Sequence, residues 1–169
     1  MPHITAVFHR TCAAAEGHAE LGLLEEAAAM LAALAPKFQN SRRATALTIS
    51  ILMKQGEFER ASSLAETLAL NEPDNVEHLL LVARCRFQAG KVVDALWWLQ
   101  AYAQQCAHSP DYHYFRAECH AAVGDPEAAG AELRVAHDLE RRSYWDPPTR
   151  PGEEPVNVFF GAHEASVSL

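Results

Sequence analysis

Five residues with metal-ligand chemistry fall within the fifteen-residue stretch CAHSPDYHYFRAECH: Cys106, His108, His113, Cys119 and His120. Thiolate sulfur and imidazole nitrogen are the donors that zinc prefers. The spacing argues against such a site. The stretch contains neither a Cys-x-x-Cys pair nor a His-x-x-x-His pair, and it crosses a turn between two helical segments. Cys119 also shares its place with Cys85, 34 residues earlier, as a small packing residue between helices would. No cysteine or serine stands in a recognisable nucleophile setting with a histidine, and no glycine-rich phosphate loop appears. The carboxylates of GLLEEA and GDPEAA read as solvated helix starts. No metal, cofactor or catalytic activity is expected, so function must lie in a binding surface.

The whole chain narrows the partners. Its 169 residues carry 14 basic and 22 acidic side chains, a formal net charge of -8. A nucleic-acid or anionic-membrane binder would need a basic surface, which here could be local at most, at Arg42 and Arg43. No run of about 18 apolar residues is present, so membrane insertion is not expected. The first residues lack the uninterrupted apolar run of a secretory signal. The cysteines are Cys12, Cys85, Cys106 and Cys119. A chain this long and apolar does not need a disulfide framework, and reduced thiols in a cytoplasm are the expectation.

The elements that must position a surface are set by a repeat. Gly22, Gly56, Gly90 and Gly124 recur every 34 residues. Five residues after each stands an alanine: Ala27, Ala61, Ala95 and Ala129. Seven residues before each are Ala15, Ile49, Ala83 and Ala117. A helix that ends at the glycine and a second that folds back on it accounts for this grid. The alanines allow close backbone approach, and Phe58, Leu99 and Leu133 are expected to fill the space between neighbours. No such unit buries its apolar stripe alone, so the copies must stack into a solenoid. Helix starts are expected at the capping-box spacing of Asp74 and Glu77, at Ser109-Pro110 and at DPEA. Pro73 separates two units. The fold expected is all-α, with eight helices in four pairs at about 8–41, 42–75, 76–109 and 110–143. The Pro-rich 144–169 segment forms an extended tail.

A 34-residue helix pair with glycine, aromatic and alanine at these offsets resembles the tetratricopeptide repeat, most closely in LMKQGEFERASSLAETLALNEPDN, Leu52 to Asn75. The first unit departs most, with Gln39 where the family has proline. The large residue that the family often places near the start of the first helix is missing from some units. The resemblance implies a right-handed superhelix whose first helices line a concave wall. Carried onto this sequence, the inward positions are Arg43, Ala46, Ser50 and Met53 in the second unit. They are Glu77, Leu80, Arg84 and Phe87 in the third, and Asp111, Tyr114, Glu118 and Ala121 in the fourth. An apolar floor with charges of both signs suits an extended or helical peptide. Packing between helices is the alternative for Met53, Leu80 and Phe87. Carboxylate-clamp co-chaperones of the family use lysine and asparagine at inward positions. Here Cys12, Glu16, Leu47 and Arg84 stand there, and Glu16 would repel a carboxylate.

The second half narrows the resemblance. YFRAECHAAVGDPEAAGAELRVAHDL, Tyr114 to Leu139, is similar to the last repeat of class II chaperones of bacterial type III secretion, and Ala83 to Ala103 to their preceding repeat. RRATALTISILMKQGEFERA is similar to the repeat-containing partner that shields needle subunits in those systems. The implied function is a cytoplasmic chaperone holding a hydrophobic secretion substrate, such as a translocator subunit, in its groove. The N-terminal segment and the aromatic-rich tail depart from both. The alternative is a general scaffold or adaptor for a multiprotein complex.

Two further features concern partners. The adjacent Trp97 and Trp98 point about 100° apart on a helix, so one can be core and the other a surface contact. Trp98 is expected to pack, and homodimerisation through outer helix faces is a further expectation. In the tail, Pro147, Pro148, Pro151 and Pro155 exclude helix, and VNVFF, Val156 to Phe160, is expected to dock on the domain or in a groove.

Overall fold

The computed structural model describes residues 2–145, and every regular element among them is helical. α1 (Pro2–Glu20) pairs with α2 (Leu24–Ala32), which is followed by the single turn α3 (Pro36–Gln39). α4 (Arg42–Lys54) pairs with α5 (Phe58–Asn71), and α6 (Val76–Gln88) with α7 (Val92–Ala101) and the short α8 (Ala103–Cys106). α9 (Pro110–Ala122) pairs with α10 (Pro126–Trp145). Each first helix also packs on the unit before it, α4 on α1 and α2, α6 on α5, and α9 on α6 and α7. This is the stacked arrangement expected from the 34-residue grid. Among the described residues ten helices replace the expected eight. Pro36 cannot continue a helix interior and breaks the second helix of unit one, and Tyr102 (φ -108°, ψ 20°) divides that of unit three. α10 runs to Trp145, past the expected boundary at 143, and the tail from 146 lies outside the described residues.

Among the described residues, those with positive φ are the four periodic glycines, with φ between 76° and 80°. At Gly56 the left-handed conformation lets its own N–H reach the Met53 carbonyl at 3.1 Å and the Glu57 N–H reach Leu52 at 2.9 Å. These bonds satisfy the last carbonyls of α4. Side chains cap the opposite ends. Ser41 Oγ accepts from the Ala44 N–H, Ser109 Oγ from Tyr112 and Asp125 Oδ1 from Ala128. The third unit corrects the sequence expectation: Asn75, not Asp74, caps α6, its Oδ1 accepting from Glu77 at 3.1 Å and His78 at 3.4 Å. Asn75 immediately precedes the first helical residue, whereas Asp74 is one position too early to reach those amides.

The alanines behave as spacers. Ala15, Ala27, Ala61, Ala83 and Ala95 are all 0% exposed where paired helices approach. Ile49, Leu79, Val82 and Leu99 fill the layers between units, each contributing about 1.5–3 kcal/mol relative to an exposed side chain. Unit one and the inner face of α4 form a second cluster around Phe8, Cys12, Leu31 and Ile51. Phe58 is half-buried. Leu133 departs from expectation at 40% exposed, while Leu99, its counterpart one repeat earlier, is 1% exposed. The difference is positional: α9 covers Leu99, and no described helix follows α10.

Ring-to-backbone bonds stiffen the stack. Trp98 Nε1 donates to the Leu79 carbonyl at 3.0 Å, and the Tyr112 hydroxyl donates to the Leu99 carbonyl at 3.2 Å. Trp98 also receives the Arg86 guanidinium at 4.7 Å from its ring centroid. Trp98 thus packs as expected, and Trp97 is 74% exposed on the outer face.

Candidate functional site

Residues of three first helices, α4, α6 and α9, frame a concavity of about 410 Å³. Met53 reaches it from the end of α4. Arg84, Phe87 and Gln88 come from one turn of α6, and Asp111, Tyr114, Phe115 and Glu118 from α9. The helical period puts 84, 87 and 88 on one face, as it does 111, 114, 115 and 118. Six of the twelve inward positions expected from the sequence meet here: Met53, Arg84, Phe87, Asp111, Tyr114 and Glu118.

The floor is aromatic. Phe87 and Phe115 meet edge to face with centroids 5.6 Å apart, and Arg84 lies over the Phe115 ring at 5.6 Å. Phe115 is 6% exposed, so it supports the floor while Phe87 remains half open. The rim carries charge: Arg84, Asp111 and Glu118 are all exposed, and none of the three forms an ion pair among the described residues. Tyr114 stands at the edge, its hydroxyl donating to Glu140 Oε2 at 2.7 Å and lying 3.2 Å from His137 Nδ1. The bond to Glu140 holds the phenol above its usual titration range.

The other expected residues are placed elsewhere. Leu80 is 6% exposed within the core cluster, so it packs between helices, one of the two readings open for it in the sequence. Arg43 turns to α1, with Nη2 3.6 Å from Glu16 and Nη1 3.4 Å from His9 Nδ1. Ser50 and Glu77 are exposed on α4 and α6 but do not line the concavity. Gln88 and Phe115 were missed by the sequence reading. Each follows an inward residue by one position, so the concavity takes two adjacent positions, 87 and 88 on α6 and 114 and 115 on α9, where the repeat register offers one.

The histidine and cysteine stretch disperses in space. Cys106 and Cys119 are buried, with burial pushing the Cys119 thiol up to about 12 and raising that of Cys106. His113 is enclosed by Glu132 Oε2 at 2.7 Å from Nδ1 and the Ala107 carbonyl at 3.1 Å from Nε2. His108 is exposed. No group of three or more metal-ligating side chains comes together among the described residues.

Residues 47–110 match the family model for the tetratricopeptide repeat. MamA 41-end from Desulfovibrio magneticus RS-1 superposes with a TM-score of 0.66 at 16% identity, over 79% of this chain and 76% of that one. The fold is a tetratricopeptide-repeat solenoid. The MamA RS-1 ArsTM double mutant gives a TM-score of 0.65 at 14% identity, over 80% and 76% of the two chains. MamA MSR-1 C2 gives 0.64 at 14% identity, over 83% and 78%. No curated protein matches the chain by sequence. At these identities the likeness is one of fold. The tetratricopeptide-repeat match runs from the middle of α4 to the first residue of α9, so it takes in Met53, Arg84, Phe87 and Gln88 of the concavity and stops short of the α9 residues that complete it. No described helix is long and apolar enough to cross a membrane.

Proposed function

We propose that this protein is a scaffold or adaptor that holds a polypeptide segment of a partner protein against the wall formed by α4, α6 and α9. The observation that carries this reading is the convergence of Met53, Arg84, Phe87, Tyr114 and Glu118 on one concavity. An apolar, half-open ring at Phe87 offers a slot for an apolar anchor, and such anchors dominate peptide binding in grooves. The carboxylates of Asp111 and Glu118 and the guanidinium of Arg84 then fix direction and select among partners. The geometry asks for a ligand with an apolar residue flanked by a basic one.

The secretion-chaperone reading receives no support from the family match or from the solved structures, and the scaffold alternative fits both better. The four buried free thiols suit a reducing compartment such as the cytoplasm. A photo-crosslinking residue at Gln88, exposed on the concavity, tests the proposal in cells that make the protein naturally. Crosslinking of the same partner from Gln88 and Met53, and not from Thr67 on α5, is expected. Crosslinks from Thr67 alone would place binding on the outer face instead.

A further inference from the structure

The first two units meet around a cavity of about 460 Å³ between α2 and α4, lined by Ala28, Leu31, Ala32, Ala44, Thr48 and Ile51 among others. The repeat itself shows what is missing there. The residues one and two repeats after Ala44 are His78 and Tyr112, which are buried, at 7% and 1% exposed. Those after Ala28 are Ser62 and Leu96, those after Ala32 are Glu66 and Gln100, and those after Thr48 are Val82 and Arg116. At the junction of units three and four, Tyr112 donates to the Leu99 carbonyl at 3.2 Å and Arg116 to Gln100 at 2.7 Å. The counterpart of Leu99 is Leu31, which lines the cavity. The first junction therefore lacks the aromatic ring and long side chains that close the third. What remains is a largely apolar slot with room for an aromatic ring, whose polar lining comprises Gln39, Thr48, Gln55, Glu57 and Arg60.

We propose that this slot receives an aromatic side chain of the chain's own Val156–Phe160 segment, with Phe159 or Phe160 taking the place that Tyr112 holds two repeats later. The segment offers the right chemistry, two adjacent phenylalanines and two valines in five residues. Its tether is long enough. Phe159 lies 14 residues beyond Trp145, where α10 ends, and an extended chain at about 3.3–3.6 Å per residue spans about 46–50 Å. Three steps between the second helices of successive units, at about 8–10 Å each, come to about 24–30 Å. The intervening prolines favour an extended path over a collapsed one. The slot lies apart from the concavity of α4, α6 and α9, so either site can fail without the other.

The test compares the full-length chain with its F159A/F160A variant. In methyl NMR spectra, the Leu31 and Ile51 resonances are expected to shift on substitution as the ring current is lost, while those of Val82 and Leu99 stay in place. The shifts should be independent of protein concentration. In addition, p-cresol is expected to bind the variant at least tenfold more tightly than the natural chain, because the slot is then vacant. Ala44→Tyr, which supplies the ring internally as Tyr112 does, should abolish p-cresol binding in both backgrounds. Unchanged Leu31 and Ile51 resonances, or equal p-cresol affinity for the two chains, would overturn the proposal. So would shifts that vanish on dilution, which would assign the ring to a second copy.

Discussion

Phe87 and Phe115 meet edge to face at 5.6 Å, joining α6 to α9 across the floor of the concavity. The contact is between successive units, so the binding surface and the stack share it. Phe115→Ala is expected to destabilise the fold by about 3–5 kcal/mol, because it leaves a void under the floor as well as losing apolar burial. Chemical denaturation with two spectroscopic probes checks this, and a loss below about 1 kcal/mol would remove Phe115 from the core.

Gly56 ends α4 with φ 78° and open space around the position of a Cβ. Gly56→Ala therefore meets conformational strain without a steric clash, and a loss of about 1 kcal/mol is expected. Thermal unfolding measures it. An unchanged or raised melting temperature would mean that the turn has a second, right-handed solution.

The hydroxyl of Tyr112 donates to the Leu99 carbonyl and lies 3.3 Å from Arg116 Nη1. Tyr112→Phe keeps the ring and removes both contacts, but Arg116 Nη1 retains Glu132 Oε1 at 3.1 Å, so a cost of about 0.5–1.5 kcal/mol is expected in urea unfolding. Tyr112→Ala should cost more, since it recreates the vacant slot of the first junction. Equal losses for the two variants would show that the ring itself does not hold the units together.

Burial pushes the Cys85 thiol up to about 11 and the Cys119 thiol up to about 12. A thiol whose titration is raised by folding favours the folded state below its unfolded value. That contribution is lost as pH rises through the folded one. At pH 8 both groups stay protonated and shielded, so a thiolate-selective reagent is expected to label neither on the timescale on which it labels the unfolded chain. Labelling of either thiol in the folded chain at pH 8, at the rate seen in the unfolded chain, would contradict the burial.

Much of this architecture is legible in the sequence because it repeats. A left-handed turn tolerates little but glycine, and closest helix approach tolerates little but alanine, so Gly56 and Ala61 announce the hairpin without any tertiary knowledge. Inward-facing residues are less constrained. Leu80 and Phe87 occupy the same face of α6, yet one is buried against its neighbours and the other half open. That difference is made by what each residue meets on the neighbouring helices, which no single-helix pattern encodes. The cap at Asn75 was misplaced to Asp74 because adjacent polar residues offer equivalent chemistry and only the backbone decides which one reaches the amides. A small residue, Ala44, stands near the start of α4 where later units carry His78 and Tyr112. Its consequence, a cavity, required the neighbouring Ala28 and Ala32 to be seen facing it.

The central claim is that a polypeptide lies on the wall of α4, α6 and α9. It is tested most directly by calorimetric titration of the full chain with a peptide selected against it by display. Arg84→Glu and Met53→Glu change exposed or half-open positions on the concavity, and each should weaken binding at least tenfold while Trp97→Ala leaves it unchanged. Affinity that survives both concavity changes and falls with Trp97→Ala would contradict the account and move the partner to the outer face.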